Sequence, residues 1–159
     1  MKLIAKGNTA EIYDYAEGVI CKLFYAGYPV NSVKFELNNA RILYNLELPV
    51  PKSYELIYIN DRPGILYEKI EGENLTSYLL DESKYNMVVS ILANTHRELL
   101  NYECKELPTY KDFIKNEIGD KNMEIISHLE RLPDGDTLCH GDFHPGNIMI
   151  THDGKIKVI

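Results

Sequence analysis

The segment Cys139-His140-Gly141-Asp142-Phe143-His144-Pro145-Gly146-Asn147 crowds thiol, imidazole, carboxylate and amide side chains into one short stretch. Gly141, Pro145 and Gly146 shape the backbone tightly, as in a loop built to aim side chains. A carboxylate at the loop apex, Asp142, can orient a hydroxyl nucleophile or accept its proton. An amide oxygen five residues later, on Asn147, can ligate a hard cation such as Mg²⁺. The plain alternative is a hydrogen-bonded turn, because Asp, Asn, Gly and Pro are the common turn residues.

Such a loop needs elements to hold it. Residues 3–5, 11–15 and 19–25 are β-prone and separated by Gly7-Asn8-Thr9 and Glu17-Gly18, which predicts consecutive antiparallel strands. From Asn31-Ser32, either of which can cap, residues 33–46 place Val33, Leu37, Ala40 and Tyr44 on one helical face before Pro49 and Pro51. Glu36 falls about 60° from the centre of that stripe, so its carboxylate can turn inward. Two further strands, 54–59 and 65–70, are joined by the turn 60–64, and Glu71-Gly72-Glu73-Asn74 reads as a polar connector. Beyond it Tyr85, Val88, Val89, Leu92, His96 and Leu99 recur at helix spacing, with His96 expected as a satisfied core histidine. Thr109-Tyr110-Lys111-Asp112 resembles a capping box that opens another helix. Strands at 137–139 and 148–150 are expected to flank the loop, with Cys139 buried, and Asp153-Gly154 is a hairpin turn into 155–159. The outline is a strand-rich lobe over residues 1–70, then a linker and a partial helical lobe over 71–159, with a cleft between lobes as the expected ligand site.

Composition narrows the classes. With 45% apolar and 26% charged residues in 159, the chain is an ordinary globule of one domain or two small lobes, not a disordered or collagen-like segment. A net charge of −7 argues against nucleic acid or an anionic membrane as partner and suits a cationic ligand. The twelve tyrosines are scattered without the basic interleaving of a nucleic-acid platform. Three cysteines without paired spacing argue against a disulfide framework. No signal-peptide core and no apolar run of about 18 residues is present, and the expectation is a cytoplasmic protein. Cys139, His140, His144 and His152 have no familiar structural zinc spacing. Oligomeric state is left open.

A catalytic Asp followed five residues later by a metal-binding Asn is the protein-kinase arrangement. Residues 140–147, His-Gly-Asp-Phe-His-Pro-Gly-Asn, resemble position by position the signature loop of the aminoglycoside phosphotransferase and choline kinase group. That group is the small-molecule branch of the protein-kinase-like fold. The resemblance implies an α+β, two-lobe fold with an N-terminal antiparallel sheet plus helix and a partial helical C-terminal lobe. It implies transfer of the ATP γ-phosphate to a hydroxyl of a small, cationic molecule such as an aminoglycoside or an amino alcohol like choline. Asp142 would be the catalytic base and Asn147 a magnesium ligand. His140 would anchor the loop, and His144 would stand near the transferred phosphate.

On the same resemblance, Lys22 within Val19-Ile20-Cys21-Lys22-Leu23 looks like the lysine that holds the α- and β-phosphates, and Glu36 like its ion-pair partner. A lysine flanked by apolar residues needs such a partner, because an unpaired buried ammonium is costly. Glu68 and Ile70 resemble the hinge whose carbonyl and amide meet adenine. Gly7, Asn8 and Thr9 resemble the phosphate-covering loop, with one glycine where protein kinases have three. The family's second metal-binding Asp, thirteen residues after the Asn, falls one residue beyond Ile159, so the expectation is a piece of a longer kinase and an incomplete enzyme. Two other functions stand beside this one: a non-catalytic nucleotide-binding or interaction module derived from a kinase, and a kinase of a protein side chain.

Overall fold

The computed structural model describes residues 1–119, 122–133, 135 and 137–159, with the backbone alone at 116 and 117. Its first half is built on strand alternation. Strands β1 (Lys2–Lys6), β2 (Ala10–Ala16), β3 (Val19–Phe24), β4 (Ser53–Ile59) and β5 (Arg62–Glu68) form one antiparallel sheet in the order β1-β2-β3-β5-β4. The register pairs Ile12 with Lys22 and Lys22 with Ile65, so Ala10, Phe24 and Ile65 share the Lys22 face. Helix α1 (Val30–Asn45) packs there, with Val33 and Leu37 completing a buried cluster with Ala10, Phe24 and Ile65. The opposite face carries a second cluster of Cys21, Leu23 and Leu66.

Three local expectations are corrected. Helix α1 begins at Val30, ahead of Asn31 and Ser32, because Pro29 occupies the N-cap and no side chain caps the helix. The turn between β4 and β5 is only Asn60-Asp61, both at positive φ (49° and 62°), the geometry of a two-residue hairpin. Pro63 and Gly64, expected in that turn, lie in β5. The supposed connector contains β6 (Gly72–Asn74), which pairs with β7 (Ile148–Thr151), itself paired with β8 (Ile156–Val158). A Cβ on Gly72 would collide with the Ile150 carbonyl oxygen, so the missing side chain is what lets these strands approach.

The chain divides into two compact units: Met1–Tyr85 with His144–Ile159, and Asn86–Phe143. Within the first unit the Val158 N–H donates to the Pro49 carbonyl at 2.7 Å and Lys157 Nζ to the Val50 carbonyl at 3.2 Å. The second unit holds most of α2 (Tyr85–Leu99), then α3 (Tyr110–Ile118) and α4 (Met123–Arg131). The capping box at α3 forms: Thr109 Oγ1 accepts the Asp112 N–H and donates to Asp112 Oδ2. Helix α4, unmarked in the sequence reading, is capped by Asn122. Residues 137–139 are not a strand: among the described residues their main-chain tie is one bond, Leu138 N–H to the Tyr102 carbonyl, and Cys139 is exposed rather than buried. Among the described residues no helix is long and apolar enough to cross a membrane.

On the second face of the large sheet, Glu11 is nearly buried and accepts from Arg62 at 2.9 Å and from Tyr13 at 3.0 Å, with Lys6 at 3.2 Å. The Arg62 guanidinium, followed by Lys6 and Tyr13, holds its carboxyl down at about 2 from an ordinary 4.5. A depressed folded value means that this stabilisation is complete above the ordinary value and is lost as the pH falls through about 2. In acid titrations followed by circular dichroism, Glu11→Gln is expected to be less stable than wild type at neutral pH. The difference between the two is expected to close as pH drops from about 5 towards 2.

Candidate functional site

Lys22 sits on the sheet face that α1 covers, so its ammonium faces a helix and not open water. Glu36 lies on the same helix, between Val33 and Leu37, and its carboxylate accepts from Lys22 Nζ at 2.7 and 2.9 Å. The two side chains are about one-third exposed, at 29% and 34%, enough for a ligand to reach them. The ammonium also lies 5.3 Å from the Phe24 ring centroid, and Phe24 stacks on Tyr28.

A third residue belongs to this pair. Tyr67 O–H donates to Glu36 Oε1 at 2.9 Å, and burial first, then the Glu36 charge, pushes the phenol's pKa well above its ordinary value. Tyr67 therefore remains a donor and fixes which way the Glu36 carboxylate presents itself to Lys22. Sequence reasoning missed it because its role follows from cross-strand register: Tyr67 pairs with Ile20, two residues along β3 from Lys22.

The other anticipated residues occupy four places. Gly7, Asn8 and Thr9 form the loop between β1 and β2, closed by Gly7 N–H to the Ala10 carbonyl at 2.9 Å. Glu68 ends β5; its N–H donates to the Lys52 carbonyl at 2.8 Å and its side chain accepts the Lys52 N–H at 3.0 Å. Ile70 follows between two anchors, Lys69 N–H to Gly18 O at 2.9 Å and His152 N–H to Glu71 O at 3.1 Å. His144 caps a 3-10 turn over Pro145–Asn147, its Nδ1 accepting the Gly146 N–H at 3.0 Å. A Cβ on Gly146 would run into that imidazole, which explains the glycine. Asn74 of β6 pins the turn by donating to the Gly146 carbonyl at 2.6 Å, and the Asn147 carbonyl accepts the Ile159 N–H at 2.9 Å. Asn74 is a second residue that the sequence reading passed over.

Asp142 lies in the other unit, exposed, beside Gly141 at φ 82°. The Asp142 N–H reaches back to His140 Nδ1 at 3.3 Å, and Phe143 packs between rings, stacked on His96 at 4.9 Å and edge-on to His140 at 5.8 Å. His96 is thus exposed and supports the loop, where a buried core histidine was expected. The structure brings Lys22 and Glu36 together, and joins His144 to Asn147 in one turn.

Magnesium requires about six oxygen ligands in near-octahedral geometry. Asn147 offers one, and among the described residues no group of three or more His, Cys, Asp or Glu side chains could hold a metal. Magnesium keeps several waters and takes phosphate oxygens beside one or two protein ligands, so the side-chain oxygen of Asn147 suits an ion carried with a nucleotide rather than one held by the chain alone.

Comparison with known proteins gives the frame for this geometry. The profile of the phosphotransferase enzyme family matches residues 2–159. The chain belongs to that family. Among solved structures it resembles an aminoglycoside-3'-phosphotransferase of type VIII, with TM-score 0.64 and 16% identity over 99% of this chain and 68% of that one. At that identity the likeness carries the fold, which is the kinase-like α+β fold expected from the signature loop. No curated protein matched.

Tyr67→Phe removes one donor from Glu36 and leaves the packing intact. The variant is expected to lose about 1 kcal/mol in urea unfolding, the usual worth of a hydrogen bond. An equal loss in the Tyr67→Phe/Glu36→Gln double variant relative to Glu36→Gln would mean that the two groups are uncoupled.

Proposed function

We propose that this phosphotransferase family member moves the γ-phosphate of ATP to a hydroxyl group of a small, cationic molecule, an aminoglycoside or an amino alcohol. The observation that carries the reading is the two-pronged Lys22–Glu36 ion pair, oriented by Tyr67 and still open to a ligand. An ammonium held in this way presents a positioned positive charge to the α- and β-phosphates. Glu68 and Ile70, fixed on both sides by backbone bonds, would offer a carbonyl and an amide to adenine. The loop Gly7-Asn8-Thr9 would cover the phosphates, and His144 would lie near the transferred group.

Asp142 carries the chemistry in this reading. Its carboxylate accepts the proton of the acceptor hydroxyl as that oxygen bonds to the γ-phosphorus, and the bond from phosphorus to the β-γ bridging oxygen breaks to release ADP. Asn147 would lend its side-chain oxygen to a magnesium ion bound with the nucleotide, which would neutralise phosphate charge. The net charge of −7 supports a cationic acceptor. ATP as donor, with Cys21, Cys104 and Cys139 all free thiols, supports a cytoplasmic setting.

The test is ADP release from ATP and magnesium across a panel of aminoglycosides, amino alcohols and a hydroxyl-bearing peptide. Turnover is expected with a cationic small molecule and to fall at least about a thousandfold in Asp142→Ala, as for loss of a general base together with its positioning role. Transfer to the peptide alone would favour a protein-side-chain kinase. Nucleotide affinity without transfer to any acceptor would favour a non-catalytic binding module, and full turnover in Asp142→Ala would remove Asp142 from its role.

A further inference from the structure

The loop at residues 7–9 is short and has a single glycine, yet it is tied from outside by one residue. Tyr25, just past the end of β3, donates its O–H to the Gly7 carbonyl at 3.0 Å and its backbone N–H to the Thr9 carbonyl at 3.0 Å. The Gly7 carbonyl and the Asn8 N–H belong to one peptide unit, and no peptide bond here is cis. In a planar trans peptide these two groups point in opposite directions. Holding the carbonyl against Tyr25 therefore sends the Asn8 N–H away from Tyr25.

Tyr25 is itself braced. The Arg62 guanidinium lies 5.7 Å from its ring centroid and is immobilised by bonds to the Phe24 carbonyl at 2.8 Å, the Leu23 carbonyl at 3.2 Å and Glu11 Oε2 at 2.9 Å. Glu11 reaches to the far stem of the loop through Lys6 at 3.2 Å. Arg62 spans from β5 to β2, so the network joins both stems of the loop to the middle of the sheet. Such an arrangement is more than a two-strand hairpin needs to close.

We propose that Tyr25 is a positioning residue that aims the Asn8 amide at the nucleotide phosphates, with Arg62 and Glu11 as its brace; this rests on the phosphotransferase reading above. A backbone amide fixed in direction is a phosphate donor that costs no reorganisation when the anion arrives. Tyr25 touches neither nucleotide nor acceptor. It acts through the peptide plane it holds.

The test is calorimetric titration of ATP and, separately, adenosine into the 159-residue chain and its Tyr25→Phe and Arg62→Lys variants. Tyr25→Phe keeps the ring and the backbone bond and removes only the phenol donor. ATP binding is expected to weaken about fivefold while adenosine binding is unchanged, the equivalent of one hydrogen bond felt only by phosphates. Arg62→Lys keeps the charge towards Glu11 but loses the flat plate under Tyr25, and a smaller loss confined to ATP is expected. Unchanged ATP affinity in Tyr25→Phe, equal losses for ATP and adenosine, or failure of that variant to fold would each reduce Tyr25 to a structural staple and overturn the proposal. Wild-type protein that binds neither ligand would instead overturn the phosphotransferase reading itself, and this proposal with it.

Discussion

An ammonium on the helix-covered face of a sheet must meet a carboxylate, and much of the first unit is arranged around that requirement. Lys22 shares its face with Ala10, Phe24 and Ile65, residues that pack against α1. Left alone there, its charge would lose hydration without return. Glu36 answers it from the helix, and Tyr67 answers Glu36 from β5. Three elements distant in sequence are thereby locked by one set of polar contacts. The same contacts hold a partly exposed positive charge in one place, as phosphate recognition requires.

A parallel logic governs the 140–147 loop. Its side chains are aimed by close backbone approaches that only particular residues allow. Gly146 leaves room for the His144 ring, and Gly72 lets β6 lie against β7 so that Asn74 reaches the Gly146 carbonyl. The Asp142 backbone follows Gly141 at positive φ and donates its N–H to His140, whose ring in turn meets Phe143 edge-on. The rigidity on which chemistry would depend comes from second contacts, not from the reactive groups themselves.

Much of this was legible in the sequence where a period repeats. Alternation located β2 and β3, and the 3.6-residue stripe located α1 and put Glu36 at its margin. The signature loop identified the family at once. What escaped depends on register and close approach, which have no periodic trace. Tyr67 reads as one more aromatic in a strand until its O–H is placed against Glu36. Residues 72–74 carry no apolar side chain to mark a strand, and Asn60-Asp61 is a tight turn whose neighbour Pro63 wrongly suggested a longer one. His96 is expected inside from the apolar helical stripe it shares and Cys139 from strand alternation against His140, whereas both lie at the surface.

The Lys22–Glu36 pair, as proposed, is a phosphate-binding device and not a staple of the sheet. Calorimetric titration of ATP into wild type and Lys22→Ala, with thermal unfolding of both as the reference, addresses it directly. The account requires that ATP affinity fall about ten- to a hundredfold in Lys22→Ala, the scale of charge-assisted hydrogen bonds lost to a phosphate, while both proteins remain folded. A folded Lys22→Ala that binds ATP as well as wild type would contradict it.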